Sequence, residues 1–217
     1  MVITKTREKI LRLFFDRPEL RIHQRGVVRR AGVSPQNAHL YLQEFVEKGW
    51  LLRGDFPHFV LYRINPASAP IFKLFEMFEL DRREEFISRG GTLANRLLTY
   101  MRVLSRLSER EIRSVILFGP AARGEWEERS QVDIAAIAAD GTNPQKIERM
   151  HRQAAQKVGR MLRISWTHFA IQDFIGGFRK KAPFFDELWK DRIVLHNEYL
   201  FWQMVRIAKT RIKNLIL

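Results

Sequence analysis

The sequence predicts an α+β protein, with an N-terminal domain of helices and a hairpin and a C-terminal mixed sheet with flanking helices. Residues 4 to 65 contain three short stretches with helical apolar spacing, followed by two strand-like runs around a turn. From residue 92 on, amphipathic stretches alternate with short apolar runs rich in β-branched residues, which is typical of strands flanked by helices. We therefore expect domains at 1–66 and 92–217, with a linker and dimerisation helix at 67–91.

Composition limits the classes of function that are plausible. The chain has 217 residues and a formal net charge of +14, and arginine is more frequent than lysine. A chain this basic usually binds a polyanion, so nucleic acid is the first expectation and a solvated basic surface is the alternative. The absence of cysteine excludes disulfides and cysteine-ligated metals. Arginine bias without cysteine is typical of thermophiles and favours an archaeal source.

The location of the protein follows from what the chain lacks. No stretch approaches the roughly 20 consecutive apolar residues of a membrane span. The N-terminal segment has no apolar core of the kind found in signal peptides. We expect a cytoplasmic protein with no membrane partner and no cofactor.

Three helices are predicted at the start of the chain. The first covers residues 4–15, and the second covers 22–31 and ends at the turn residue Gly32. Ser34 and Pro35 then provide an N-cap and a proline at the first position of a third helix, which runs to Lys48. The residues expected to face inward are Ile10, Leu13 and Phe14 on the first helix, and Ala38, Tyr41, Leu42 and Phe45 on the third.

A predicted hairpin follows, with strands at Trp50–Arg53 and Phe59–Ile64. Three helices and a hairpin, with Ala31–Ser34 between the second and third helices, resemble a winged helix-turn-helix. The exit Lys48–Leu51 is similar to the end of the recognition helix in many bacterial and archaeal regulators. The resemblance covers about residues 4 to 65 and implies that double-stranded DNA is a partner.

In this motif the third helix enters the major groove, and its early residues meet base edges. The candidate base-reading residues are Ser34, Gln36, Asn37, His39 and Gln43. Gln and Asn side chains can bond an adenine edge in bidentate fashion. Candidate phosphate contacts come from the second helix and the hairpin: Arg21, Arg25, Arg29, Arg30, Arg53 and Arg63. A winged helix used only for protein contact, or a solvated arginine face, is the alternative.

The helix predicted over residues 69–88 is apolar on nearly all sides, which indicates burial. It can be buried between the domains or against a second copy of the chain. We expect a homodimer, formed through Phe72, Phe75 and Phe78 or through the last helix at 198–217. The pair Gly90–Gly91 marks the expected domain boundary.

The second domain contains an apolar strand ending in Phe118-Gly119-Pro120, a turn with Arg123-Gly124, and a second apolar strand from Ser130 through Asp133. This stretch resembles the signature of the nucleotidyltransferase fold of the DNA polymerase β superfamily, and the resemblance covers roughly residues 92 to 200. It implies a degenerate nucleotide-binding site at Gly119, Arg123, Ser130 and Asp133. Arg123 and Arg129 are the residues that could hold a phosphate without a metal.

The chain departs from that family at three positions. In the family, two carboxylates at i and i+2 of one strand hold Mg²⁺, whereas here Gln131 precedes Asp133. The phosphate-binding serine is replaced by Pro120, which has no N–H to donate. The strand expected at 162–171, which carries the third carboxylate in the family, has no Asp or Glu. We predict a pseudoenzyme with no catalytic residues and no metal site.

Other residue patterns do not indicate a metal site or a further catalytic site. The histidines lack the spacing of a zinc site, and there is no P-loop or Gly-x-Ser-x-Gly motif. Glu125, Glu127 and Glu128 could restore a metal site, but a solvated loop is the favoured interpretation.

Three functions remain open on the sequence. The first is a DNA-binding transcriptional regulator whose second domain serves sensing, dimerisation or docking of a protein partner. The second is an active nucleotidyltransferase that modifies a protein, an RNA or a small molecule. The third is an antitoxin-like member of a toxin–antitoxin pair.

Overall fold

The structure, a computed structural model, forms two compact units, one ending at Phe75 and the other beginning at Glu76. It describes residues 3–89, 91–108, 110–128, 130–159, 162–180 and 182–210. Each unit combines helices with one small sheet, so the predicted α+β class is confirmed. In the described part of the chain, no helix has the length and apolar character needed to cross a membrane.

The N-terminal unit contains three helices followed by a hairpin, in the predicted order. Its elements are α1 (Lys5–Asp16), α2 (Gln24–Ala31), α3 (Pro35–Glu47), β1 (Leu51–Phe56), β2 (Phe59–Ile64) and the beginning of α4 (Ala69–Arg89). β1 and β2 pair in antiparallel fashion, and an isolated bridge between Ile22 and Tyr62 adds a third short segment to the hairpin. Leu42 and Phe45 of α3 are buried, as predicted.

Three local predictions in this unit need correction. The second helix begins at Gln24 rather than at residue 22, because Ile22 pairs with Tyr62 and His23 caps the helix. On α1, Leu13 is only partly buried, whereas Leu11 and Phe15 are fully buried. The hairpin is longer than predicted, because β1 continues to Phe56.

The apolar helix α4 is buried within the chain. Phe72 and Phe75 are 1 % and 0 % exposed, and Phe78 is 4 % exposed. The Phe75 ring contacts Phe15 edge-on, with centroids 5.7 Å apart. These three rings are therefore not exposed for contact with a second copy, and the predicted homodimer stays a prediction. The predicted boundary glycine Gly90 lies outside the described residues, and Gly91 begins α5.

The C-terminal unit is built on a four-stranded mixed sheet of order β5-β4-β3-β6. Only β4 and β5 are parallel, and α7 makes the crossover that a parallel pair requires. The elements after α4 are α5 (Gly91–Leu107), β3 (Ile112–Phe118), α6 (Gly119–Ala122), β4 (Gln131–Ala138), α7 (Pro144–Val158), β5 (Arg163–Ala170), α8 (Ile171–Lys180), α9 (Pro183–Asp191), β6 (Ile193–His196) and α10 (Glu198–Lys209).

Apolar residues of α5 and α7 pack with the sheet in one core, which includes Leu97, Tyr100, Ile134 and Ile147. Helix α8 was not predicted, because Gly176 and Gly177 interrupt its pattern. Phe185 of α9 lies so close to Gly177 that an added Cβ would sit 2.1 Å from its ring. The end of the predicted last helix, residues 211–217, lies outside the described residues.

Candidate nucleic-acid interface

A tight turn sets the relation between α2 and α3. Gly32 closes α2 in the left-handed conformation, with φ 61°, and its N–H donates to the Val28 carbonyl. The Ser34 hydroxyl then accepts a hydrogen bond from the Asn37 N–H at 3.2 Å and caps α3. Ser34 is exposed, but its hydroxyl serves first as a helix cap.

The solvent-facing side of α3 carries most of the predicted base-reading residues. Gln36 and His39 are exposed, while Asn37 and Gln43 are half-buried. Leu40 is 58 % exposed on this face and was missed by the sequence analysis. Its signal was available, because Leu40 falls out of phase with the buried Ala38, Leu42 and Phe45. An exposed apolar side chain on such a face can contact a thymine methyl group.

Gln24 links the two helices of the motif. Its side-chain amide donates to the Pro35 carbonyl at 3.2 Å, and its Oε1 lies 3.4 Å from Nδ1 of His39. These contacts orient the imidazole at the exposed surface of α3. Gln24 is thus a positioning residue that sequence spacing alone did not indicate.

Ion pairs hold α3 from its other side. Arg7 of α1 donates to Glu44 at 3.0 Å, and Lys48 donates to the same carboxylate at 2.6 Å. The hydrogen bond from Lys48, reinforced by Arg7, keeps the pKa of Glu44 below its ordinary value. Lys48, the basic residue at the end of α3, is therefore engaged within the unit.

The predicted arginine series lies at the surface. Arg21, Arg25, Arg29 and Arg30 are all exposed, and within the described ranges none of them forms a salt bridge. Arg25 and Arg29 are one turn apart on α2 and extend the same exposed face.

The two hairpin arginines differ from each other. Arg63 is exposed and has no carboxylate partner in the described part of the chain. Arg53 donates from Nε to Asp55 at 2.9 Å, and both side chains are exposed. Exposed pairs of this kind are weak, so a phosphate can compete with Asp55 for the guanidinium.

In the second unit, the predicted degenerate nucleotide site is a tight turn at the end of β3. Gly119 has φ 71°, and an added Cβ there would lie 2.8 Å from Oδ2 of Asp133. Phe118 pairs with Asp133 across the strands, and Ser130 is half-buried just before β4. Gly119 and Asp133 thus lie next to each other at the end of β3.

The strand beside β4 supplies no second carboxylate. Asp133 pairs with Ser165 of β5, and Gln131 pairs with Arg163, so all four side chains share one face of the sheet. No cluster of three or more potential metal ligands occurs among the described residues.

Arg123 is engaged with acidic partners. Its guanidinium donates to Asp191 at 2.5 Å and to Glu125 at 2.7 Å. These hydrogen bonds, that with Glu125 first, raise the pKa of Arg123 above its ordinary value. Asp191 was missed because it lies 68 residues further along the chain. Arg129, the other candidate phosphate ligand, lies outside the described residues.

Comparisons with known proteins add little to this geometry. No model of a known family matches the chain. No curated protein matches it either. A solved structure with similarity to the chain is that of TrmBL2, an archaeal chromatin protein whose structure is described as showing a novel mode of DNA binding. The similarity covers 83 % of this chain and 76 % of that one, at 14 % identity and a TM-score of 0.22, which is too low to equate the folds.

Proposed function

We propose that this protein binds double-stranded DNA through its N-terminal unit and regulates transcription. The observation that carries the proposal is the series of four exposed arginines on and before α2, none of them neutralised by a described acidic residue. They lie beside α3, whose exposed face carries Gln36, His39 and Leu40 and is almost uncharged. A sequence-specific DNA-binding protein typically places cations against phosphates beside a helix that contacts the bases.

In this proposal α3 occupies the major groove. Gln36, His39 and Gln43 meet base edges, with Leu40 against a thymine methyl group. Arg21, Arg25, Arg29 and Arg30 neutralise one strand of phosphates. Arg53 and Arg63 do the same from the hairpin.

The second unit is, in the same proposal, a nucleotidyltransferase-like module without catalysis that serves sensing, dimerisation or docking of a protein partner. The support is that Asp133 shares its sheet face with Gln131, Arg163 and Ser165 rather than with further carboxylates. A homodimer with two-fold symmetry would favour inverted half-sites about 10 bp apart.

The test is a titration of labelled duplex DNA by fluorescence anisotropy over a range of salt concentrations. Arg25→Ala/Arg29→Ala should weaken binding to all sequences and reduce the salt slope by about 0.9 per lost phosphate contact. The matched control is Arg102→Ala/Arg106→Ala, which removes the same charge from exposed positions one turn apart on α5. Equal losses in both variants would mean that total charge, and not α2, binds the polyanion.

A second measurement separates base reading from phosphate binding. Gln36→Ala should relax the preference for particular bases, at about 1–3 kcal/mol per lost bidentate pair, and leave the salt slope unchanged. Selection of bound sequences from a random pool checks this. Absence of any DNA affinity at low salt would overturn the proposal.

A further inference from the structure

The tip of the hairpin carries two exposed aromatic side chains. Phe56 and Phe59 are 48 % and 49 % exposed. They are paired directly across β1 and β2, with only Pro57 and His58 between them. Their rings are stacked, with centroids 5.0 Å apart and planes inclined by 23°. The pair is therefore an apolar projection at the end of the hairpin.

This projection faces away from the core of the unit. The cross-strand pairs Phe56–Phe59 and Leu52–Arg63 share one face of the hairpin, because side chains alternate along each strand. The opposite face carries Leu51, Tyr62 and Ile64, all of which are buried. The two rings thus cannot be part of the core that stabilises the unit.

The pair is also held in place. Its register is fixed by the ladder from Leu51–Ile64 to Phe56–Phe59. The Phe56 ring also lies over Gly54, where an added Cβ would be in ordinary contact with it at 3.5 Å. A side chain that is already ordered loses little conformational freedom when it inserts into a partner.

Exposed arginines lie further down the same hairpin, three or four residues from the projection. Arg63 lies on the same face of the hairpin, and Arg53 lies on the other face, where it is paired with Asp55. Arg21 precedes the residue that bridges to Tyr62. An apolar tip on a hairpin that carries exposed cations nearer its base matches a ligand with an apolar interior and an anionic exterior. Duplex DNA, with stacked bases inside and phosphates outside, is such a ligand.

We propose that the Phe56–Phe59 pair is a wedge that enters between two base pairs of duplex DNA and kinks the helix. This inference rests on the proposed DNA binding and adds to it a distortion of the DNA. Apolar side chains inserted at a base step partly unstack it and bend the duplex by 20–90°. Pyrimidine–purine steps are the easiest to open, so such a step is the expected target.

The experiment measures bending separately from binding. A duplex of about three helical turns carries a donor and an acceptor dye at its ends, and 2-aminopurine marks the central step. Wild-type protein should shorten the distance between the dyes and raise the 2-aminopurine fluorescence. Phe56→Thr/Phe59→Thr should keep the strands, because threonine favours them, but lose the bend and bind about tenfold more weakly.

Two further variants make the result specific. Phe56→Leu/Phe59→Leu should retain most of the bend, since leucine also serves as a wedge. Leu98→Thr, which changes a 40 % exposed residue on α5, should bind and bend DNA like the wild type. Thermal melting verifies that each variant is folded before it is compared.

The outcomes separate the two proposals. No binding by the wild type would overturn the proposed function and this inference together. Normal binding with an unbent duplex, or an equal bend with the threonine variant, would overturn the wedge alone. A threonine variant that still bends DNA but changes its oligomeric state in light scattering would assign the rings to a contact between proteins instead.

Discussion

Asp55 is the one acidic residue within the hairpin strands, and it faces a predicted phosphate ligand. Its carboxylate lies 2.9 Å from Nε of Arg53, and both groups are exposed. The pair has two effects on a polyanion: Asp55 repels phosphates, and it occupies a cation that could bind one. Because exposed pairs contribute only about 0–1 kcal/mol to stability, the hairpin does not depend on it.

We therefore predict that Asp55→Asn raises the affinity for duplex DNA several-fold at low salt. The salt slope should steepen by up to about 0.9, because Arg53 gains a phosphate contact. Anisotropy titrations at several salt concentrations measure both quantities. Glu148→Gln is the matched control, since it removes a partly exposed carboxylate that pairs with Arg152 at 3.0 Å on α7. Unchanged or weaker binding by the Asp55 variant would contradict an interface at the hairpin.

At the scale of single residues, the sequence located the exposed arginines because their spacing on α2 needs no tertiary information. It could not show that Asp191 binds Arg123, since two residues so far apart meet only when the sheet has formed. The stacking of Phe56 on Phe59 was hidden for a related reason. The prediction placed Phe56 in the loop, and only the observed register makes the rings a cross-strand pair.

Among the elements, α4 and α9 are linked by a charge pair that neither helix pattern predicts. Arg192, just after α9, donates to Glu79 of α4 at 3.2 Å, and the two residues are 1 % and 0 % exposed. The Arg192 guanidinium also donates to the Trp189 carbonyl and lies 3.6 Å from the centroid of the Trp189 ring. Oε1 of Glu79 is buried with no hydrogen-bond partner among the described residues.

Removing Arg192 alone should therefore lower the free energy of unfolding more than removing Arg192 and Glu79 together. Arg192→Met leaves a buried carboxylate uncompensated and should lower the free energy of unfolding by about 3–5 kcal/mol. Glu79→Leu/Arg192→Met should recover most of that loss, because neither charge then remains buried. Urea unfolding followed by tryptophan fluorescence measures both variants.

A comparison pair exists within the same unit. Arg83 and Glu198 form a salt bridge at 3.2 Å, with side chains 25 % and 21 % exposed. Arg83→Met should lower the free energy of unfolding distinctly less than Arg192→Met, since water can still reach Glu198. If the double variant at 79 and 192 were no more stable than Arg192→Met, the loss would come from packing against Trp189 rather than from charge.

The order of helices and strands was predictable where periodicity and turn residues agree. Ser34-Pro35 and Gly32 fixed the ends of α2 and α3, and the apolar runs fixed β3, β4 and β5. The exact start of α2 was not predictable, because Ile22 forms a β-bridge with Tyr62, which is distant in sequence. The packing partner of the apolar α4 was not predictable either, because an apolar surface indicates burial but not which element covers it.

For the whole molecule, the central question is whether the second unit transfers nucleotides. Metal-assisted transfer needs carboxylates that hold Mg²⁺ between the attacking group and the triphosphate. Asp133 is half-buried against the turn at Gly119, and its neighbours across and along the strands are Ser165 and Gln131. A single carboxylate is a poor site for an ion that demands near-octahedral oxygen ligands and keeps its waters tightly.

We predict that the protein transfers no nucleotide from any of the four labelled triphosphates to cell extract, with either Mg²⁺ or Mn²⁺. Asp133→Ala should leave DNA binding unchanged, because the residue lies in the other unit from α2 and α3. Label transfer that disappears in Asp133→Ala would establish an active enzyme and overturn the pseudoenzyme. Label that is retained without transfer would indicate a nucleotide sensor. Arg123→Ala should abolish that retention if the guanidinium exchanges Asp191 and Glu125 for a phosphate, and leave it intact if the ion pairs are purely structural.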